Sequence, residues 1–197
     1  MTRSGVRRSD LLVAGELNPD IIVTGEDVEP QFGQVERLVD GITLTVGSSS
    51  AIMACAAARL GLTVAFVGVV GDDPFGRWMV DALASRGIDT AACRVDRSLP
   101  TGASVILARR RDRAILTSIG TIAALTAADM PDDLLMRARH LHVGSLFLQD
   151  GLRPGLAEVF RRARALGTTT SHKVRKRPAP RLRADQTSVC SAPRAPL

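Results

Sequence analysis

Glu16, Asn18 and Asp20 stand two residues apart near the start of the chain. In an extended segment that spacing puts all three side chains on one face. Two carboxylates and an amide supply acceptors and donors for hydroxyl groups, which themselves both donate and accept. On strand pattern alone, Asp20 reads equally well as a solvated edge residue. His140 and His142 also share a strand face, but a metal pair needs a third ligand that cannot be named, so they read as core or edge histidines. The run Arg109-Arg110-Arg111-Asp112-Arg113 has the charge to grip phosphate, yet its place between two strands makes it a solvated hairpin tip. Cys55, Cys93 and Cys190 have neither metal-like nor paired spacing, and Cys55, in an Ala-rich run, reads as a small buried thiol.

The elements that must position these residues alternate between strand and helix. Leu11 to Ala14 and Ile21 to Val23 are short apolar runs, and Ile42, Leu44 and Val46 alternate with Thr43 and Thr45 as in a half-buried strand. Gly47-Ser48-Ser49-Ser50 leads into an Ala-rich helix from Ala51 to Leu60, which Gly61 terminates. Val64 to Val70 reads as one buried strand. Phe75, Trp78, Met79, Ala82 and Leu83 form one helical stripe. Ala103 to Ala108 and Ala114 to Ser118 flank the arginine run as a hairpin, and His140 to Leu148 reads as a further strand. Leu152, Leu156, Val159, Phe160, Ala163 and Leu166 mark a last helix, with Asp150 available as its cap. This order predicts an α/β fold, a doubly wound parallel sheet with a small β layer beside it.

Composition bounds the partners. At 197 residues there is room for one sizeable domain. The net charge of +6 suggests nucleic acid until it is divided along the chain: residues 1–171 carry 19 Arg against 19 acidic residues, and the whole excess lies in 172–197. That segment holds both lysines, Lys173 and Lys176, and four of the ten prolines, with no helical or strand periodicity. It reads as a disordered basic tail, from a frame shift or a joined foreign segment, rather than a nucleic-acid arm. Residues 1–9 read as a disordered N-terminus. No signal peptide opens the chain and no apolar run reaches the roughly 20 residues of a membrane span. The expectation is a soluble cytoplasmic protein with no nucleic-acid or membrane partner. A dinucleotide site is excluded, because the first strand is not followed by G-x-G-x-x-G.

Four segments in order resemble the PfkB (ribokinase-like) carbohydrate kinases. Gly47-Ser48-Ser49-Ser50-Ala51-Ile52-Met53-Ala54, closing in Ala58-Arg59-Leu60-Gly61, is similar to the family's first signature. Gly15-Glu16-Leu17-Asn18-Pro19-Asp20 resembles its first strand and sugar-contacting Asp. Val67-Gly68-Val69-Val70-Gly71-Asp72-Asp73-Pro74-Phe75-Gly76 resembles the loop opening its next helix, and Gly87-Ile88-Asp89-Thr90 with Pro100-Thr101-Gly102 the approach to its lid strand. The resemblance covers residues 10–171, the front half or so of such a kinase. It implies a ribokinase-like fold with a β lid, and ATP-dependent phosphorylation, with Mg, of a sugar or nucleoside hydroxyl. It further implies that Asn18 and Asp20 hold sugar hydroxyls, that the Gly47–Ser48 turn admits the sugar close to the backbone, and that the lid closes over the substrate or pairs two copies.

The sequence departs from that pattern in three places. Ser48 replaces a usual second glycine, and Ile52 replaces a usual Asn that would contact a hydroxyl. The catalytic Gly-Ala-Gly-Asp, whose Asp is the family's base at a helix N-terminus, occurs nowhere in the chain. No catalytic, cofactor or metal residue is therefore assigned. The resemblance implies a C-terminally truncated kinase fold, inactive alone, with the 140–148 strand lacking its downstream neighbours. The alternative is a non-catalytic sugar-binding or lid-mediated assembly module.

Overall fold

The computed structural model describes residues 9–173. Strands β1 (Ser9–Ala14), β4 (Val64–Val67), β9 (Ala138–Val143) and β10 (Thr169–His172) form an all-parallel sheet in the order β10-β9-β1-β4. Both faces are covered, so β1 is apolar at successive positions rather than alternately. On one face Leu11, Val13, Val64 and Phe66 pack against α1 (Ser49–Arg59) and α2 (Pro74–Ala84). On the other, Leu12, Ala14, Leu141 and Val143 pack against α3 (Asp132–Met136) and α4 (Leu156–Ala165). The contact face of α1 is built from Ala51, Ala54 and Ala57, which lets its backbone come close to the sheet.

A second sheet carries the lid strands in the order β3-β2-β7-β8: β3 (Gly41–Val46), β2 (Pro19–Thr24), β7 (Ala103–Arg109) and β8 (Asp112–Ser118). The two central strands run parallel, and each outer pair is antiparallel. The predicted hairpin is present: only Arg110 and Arg111 separate β7 from β8, with Arg110 in a left-handed conformation at φ 49. A third pair joins β5 (Val69–Gly71) to β6 (Arg94–Asp96).

The parallel, doubly wound architecture with a β lid is as expected, and several local readings are corrected. The Val64–Val70 run is two strands broken at Gly68, because β5 leaves the main sheet to pair with β6. β3 is not half-buried: Ile42 is 68% and Leu44 40% exposed, since β3 is the outer strand of the lid sheet. β9 ends at Val143, and the chain turns at Gly144 and at Ser145, whose φ is 46. β9 has neighbours on both sides, because Thr169-Thr170-Ser171-His172 forms β10, a polar strand that apolar patterning misses and that runs to His172. Asp150 does not cap α4. It pairs with Arg153 at 2.8 Å, and a 3-10 turn at Arg153–Gly155 leads into the helix. Cys55 is half-buried rather than buried, and its thiol is raised by that burial. Ser9, expected in a disordered N-terminus of residues 1–9, opens β1, and His172, expected in the basic tail of 172–197, closes β10, because each finds a parallel strand to pair with; residues 1–8 and 174–197 lie outside the described residues. Among the described residues no helix is long and apolar enough to cross a membrane.

Two of the family-like segments are tied together by one carboxylate. Asp73 caps α2 by accepting from the Gly76 N–H at 2.8 Å. It also accepts from the backbone N–H and the hydroxyl of Thr101, at 2.7 and 2.8 Å, and Thr101 in turn accepts from the Gly71 N–H at 2.8 Å. Thr101 stands two residues before β7, so the root of the lid hangs on the N-terminus of α2. Burial alone would raise the Asp73 carboxyl, but these donors outweigh it and hold it below 3.8. A carboxyl lowered on folding stabilises the protein above its unfolded value and loses that contribution as pH falls through its folded one. Asp73→Ala is expected to cost about 2 kcal/mol of stability, the sum of a lost cap and a stranded Thr101. Thermal melts should also show Asp73→Asn flattening the stability loss below about pH 4, because the group linked to protons is gone.

Candidate functional site

The C-terminal ends of β1 and β9, the N-terminus of α1 and the inner face of the lid sheet enclose a cleft of about 480 Å³. Ligands of open parallel sheets bind at this end of the strands. Its floor is organised by Glu16, 4% exposed, which follows β1. Glu16 Oε1 accepts from the Ser49 N–H (2.9 Å), the Ser49 hydroxyl (3.2 Å) and the Ser145 hydroxyl (2.7 Å). Its Oε2 accepts from the Ser50 hydroxyl (2.7 Å) and Gln149 Nε2 (3.3 Å). Five neutral donors thus satisfy one buried carboxyl group, and no ion pair to it is formed among the described residues. The close fit depends on glycine: a Cβ on Gly15 or on Gly144 would lie 2.1 Å from Ser50 Oγ.

Asn18 and Asp20, singled out by their spacing, and Ser48, singled out by the resemblance, all line the cleft. Gly47 does not line it but makes room for Asp20, since a Cβ there would stand 2.3 Å from Asp20 Oδ1 and 2.7 Å from the Asn18 carbonyl. Ser48 adopts φ 66, ψ 126, a conformation that favours glycine. Its hydroxyl is used internally: it donates to the Glu16 carbonyl at 2.6 Å and caps α1 by accepting from the Ala51 N–H at 2.9 Å.

The lid closes the cleft in rungs. Asp20 on β2 is in register with Ser104 on β7, which is in register with Thr117 on β8, and the two hydroxyls are 3.0 Å apart. The next inward-facing rung is Ile106 with Ile115, and the next is Ala108 with Arg113. The opposite wall is α1, with half-exposed Ile52 beside Met53 and Ala56. Ile52 therefore makes that wall apolar where a hydroxyl-binding Asn would have made it polar.

This two-sheet arrangement agrees with the sequence comparison, in which the pfkB family carbohydrate kinase profile matches residues 8–187. The chain belongs to the PfkB carbohydrate kinases. Fructokinase-2 of Oryza sativa subsp. japonica is 30% identical over 168 residues, 81% of this chain and 50% of its own length. The ribokinase of Haemophilus influenzae is 31% identical over 122 residues, 60% of this chain and 39% of its own length. Among solved structures, fructokinase with bound ATP from Xylella fastidiosa superposes with a TM-score of 0.71 at 24% identity, covering 86% of this chain and 53% of that one. A PfkB protein from Polaromonas sp. JS666 gives a TM-score of 0.71 at 22% identity, over 83% and 55%. This PfkB chain thus spans about half the length of its curated relatives.

Several cleft residues are not singled out by the PfkB-like motifs. Glu16 is visible in the sequence as the first of three alternating polar residues, but its role as the hub depends on Ser145 and Gln149, more than 125 residues away. Ser104, Thr117, Arg113 and Lys173 reach the cleft only through strand register. The other candidates lie elsewhere. His140 bonds Thr169 and Ser171 at 2.7 Å each and His142 bonds Ser171 at 2.9 Å, so both serve the β9–β10 seam. Burial, then the charges of His140, Lys173 and His172, lowers His142. Among the described residues no three His, Cys, Asp or Glu side chains are grouped to hold a metal. Burial pushes the Cys93 thiol up to about 12, which leaves it unreactive at neutral pH.

Ser48 makes the clearest test of the turn. Ser48→Ala keeps the unfavourable φ and loses the cap, and thermal unfolding should show a loss of about 1–2 kcal/mol. Ser48→Gly loses the same hydroxyl but relieves the strain, and should stay within about 1 kcal/mol of the parent.

Proposed function

We propose that this chain supplies the substrate-binding part of an ATP-dependent kinase for a sugar or nucleoside hydroxyl. Asn18 and Asp20 hold substrate hydroxyls, the Gly47–Ser48 turn sets the depth of the cleft, and the lid sheet excludes water when it closes. The observation that carries this reading is the single polar rung Asp20–Ser104–Thr117, facing a floor held rigid by Glu16. Hydroxyls of a polyol match that lining because each serves as donor and acceptor at once.

ATP, with Mg, supplies the transferred phosphoryl group in this reading. The chain has no Gly-Ala-Gly-Asp, and among the described residues no three His, Cys, Asp or Glu side chains are grouped to hold a divalent ion, so the described residues do not fit that group. No catalytic residue is assigned, and the chain alone is expected to bind substrate without turning it over. Isothermal titration of the 197-residue chain with fructose and with ribose tests the proposal. Asp20→Asn should weaken binding of the preferred sugar about tenfold or more, the loss of one charge-assisted hydrogen bond. Unchanged affinity in that variant, or no binding of either sugar by the folded parent, removes the reading.

A second reading, assembly through the lid, is favoured by Ile42 and Leu44, which expose apolar surface along the outer strand of the lid sheet. Light scattering should then find a homodimer that Ile42→Glu with Leu44→Glu converts to a monomer. A monomeric parent would reject it.

A further inference from the structure

The cleft changes chemistry along two of its walls. On the lid, the Asp20–Ser104–Thr117 rung is followed two residues later, about 7 Å toward the hairpin tip, by Ile106 with Ile115. On α1, Ser48 and Ser49 are followed one helical turn later, about 5 Å on, by Ile52 and Met53, and after a second turn by Ala56. Ile52 is 53% and Ile115 48% exposed, so apolar surface stands open to water on two walls of one concavity. An isoleucine exposed singly needs no explanation, but two apolar walls of one cleft are covered together by an apolar group placed between them. The side chains at that level offer no hydrogen-bond partner. A hydroxyl held there exchanges water for hydrocarbon and gains nothing in return. The apolar band is also narrow, because Arg113 lines the cleft one rung beyond Ile115, about 7 Å further on.

We propose that the preferred substrate is a terminally deoxygenated sugar, whose hydroxyls meet the Asp20 rung and whose methyl or methylene end lies between Ile52 and the Ile106–Ile115 rung. This rests on the sugar-site reading above and adds to it which part of the polyol lacks a hydroxyl group. Ile52 and Ile115 are then specificity-determining residues: they favour carbon over oxygen at one point of the ligand, while Asn18 and Asp20 retain the hydroxyls. Such selection is bounded, since an apolar pocket rejects an added hydroxyl by about a hundredfold at most. The short apolar band suits a small group rather than a nucleobase, and among the described residues no aromatic side chain lines the cleft for a base to stack on.

Titration calorimetry on the full 197-residue chain tests this with sugars that differ by one hydroxyl: fructose against 1-deoxyfructose and 6-deoxyfructose, and ribose against 5-deoxyribose. At least one deoxy sugar is expected to bind about tenfold more tightly than its parent, with a more negative heat-capacity change and no loss of the advantage at high salt. Ile52→Asn and, independently, Ile115→Thr should each reduce that ratio several-fold. Ile52→Leu and Ile115→Val keep the walls apolar and should retain it, which separates specificity from a general disturbance of the cleft. Equal or tighter binding of both fully hydroxylated sugars overturns the inference, and if Asp20→Asn still weakens them, the sugar site itself stands. A deoxy preference that survives Ile52→Asn combined with Ile115→Thr overturns it too, because the apolar walls would not be its source. If none of these sugars binds, the underlying site reading fails as well.

Discussion

A buried carboxyl group with no cation paired to it must be satisfied by neutral donors, and their positions then define the local structure. Glu16 imposes that constraint here. Its five donors come from the start of α1 and from the turn after β9, so a single side chain fixes three chain segments around the head of the main sheet. Leaving such a group short of donors in a low-dielectric interior is expensive, which makes the network all-or-none rather than a sum of weak contacts. The serines of the helix-opening run are thereby explained individually: Ser48 caps, Ser49 and Ser50 donate, and Ser50 fits only because Gly15 and Gly144 flank it.

The lid depends on a second carboxylate of the same kind. Asp73 joins the N-terminus of α2 to Thr101 at the root of β7, so the lid sheet is hinged on a helix that packs into the core. Floor and lid therefore have separate anchors. The floor is organised by Glu16 and the lid by Asp73, and the cleft is the space between.

Two departures from the family pattern have physical consequences of different kinds. At Ser48 the backbone keeps a conformation suited to glycine, and the hydroxyl offsets the strain through two hydrogen bonds. At Ile52 nothing structural compensates; the side chain simply turns one wall of the cleft apolar. The first change preserves the turn, whereas the second alters what the cleft recognises. Relatives that include fructokinases and a ribokinase fit such variation, since one scaffold can carry different sugar specificities on its cleft walls.

The elements that bury apolar side chains were legible directly, β1 and β4 as continuous apolar runs and α1, α2 and α4 as helical stripes, while the β7–β8 hairpin was legible from the charged run between its strands. The polar trio at 16, 18 and 20 was legible from its spacing, and all three line the cleft, although only Asp20 lies in a strand. What apolar patterning could not reveal were elements whose stability comes from elsewhere. β10 is Thr-Thr-Ser-His and exists because β9 offers it a hydrogen-bonding edge, and the break at Gly68 exists because β5 finds β6. The sequence by itself determined the fold class and the first members of the site. Only the tertiary structure decided that Glu16 is a hub, that Ser48 serves the turn, and that Arg113 and Lys173 face one cleft. Hydrogen bonds between residues more than a hundred positions apart, and the register of strands that pair at a distance, leave no periodic trace in the chain.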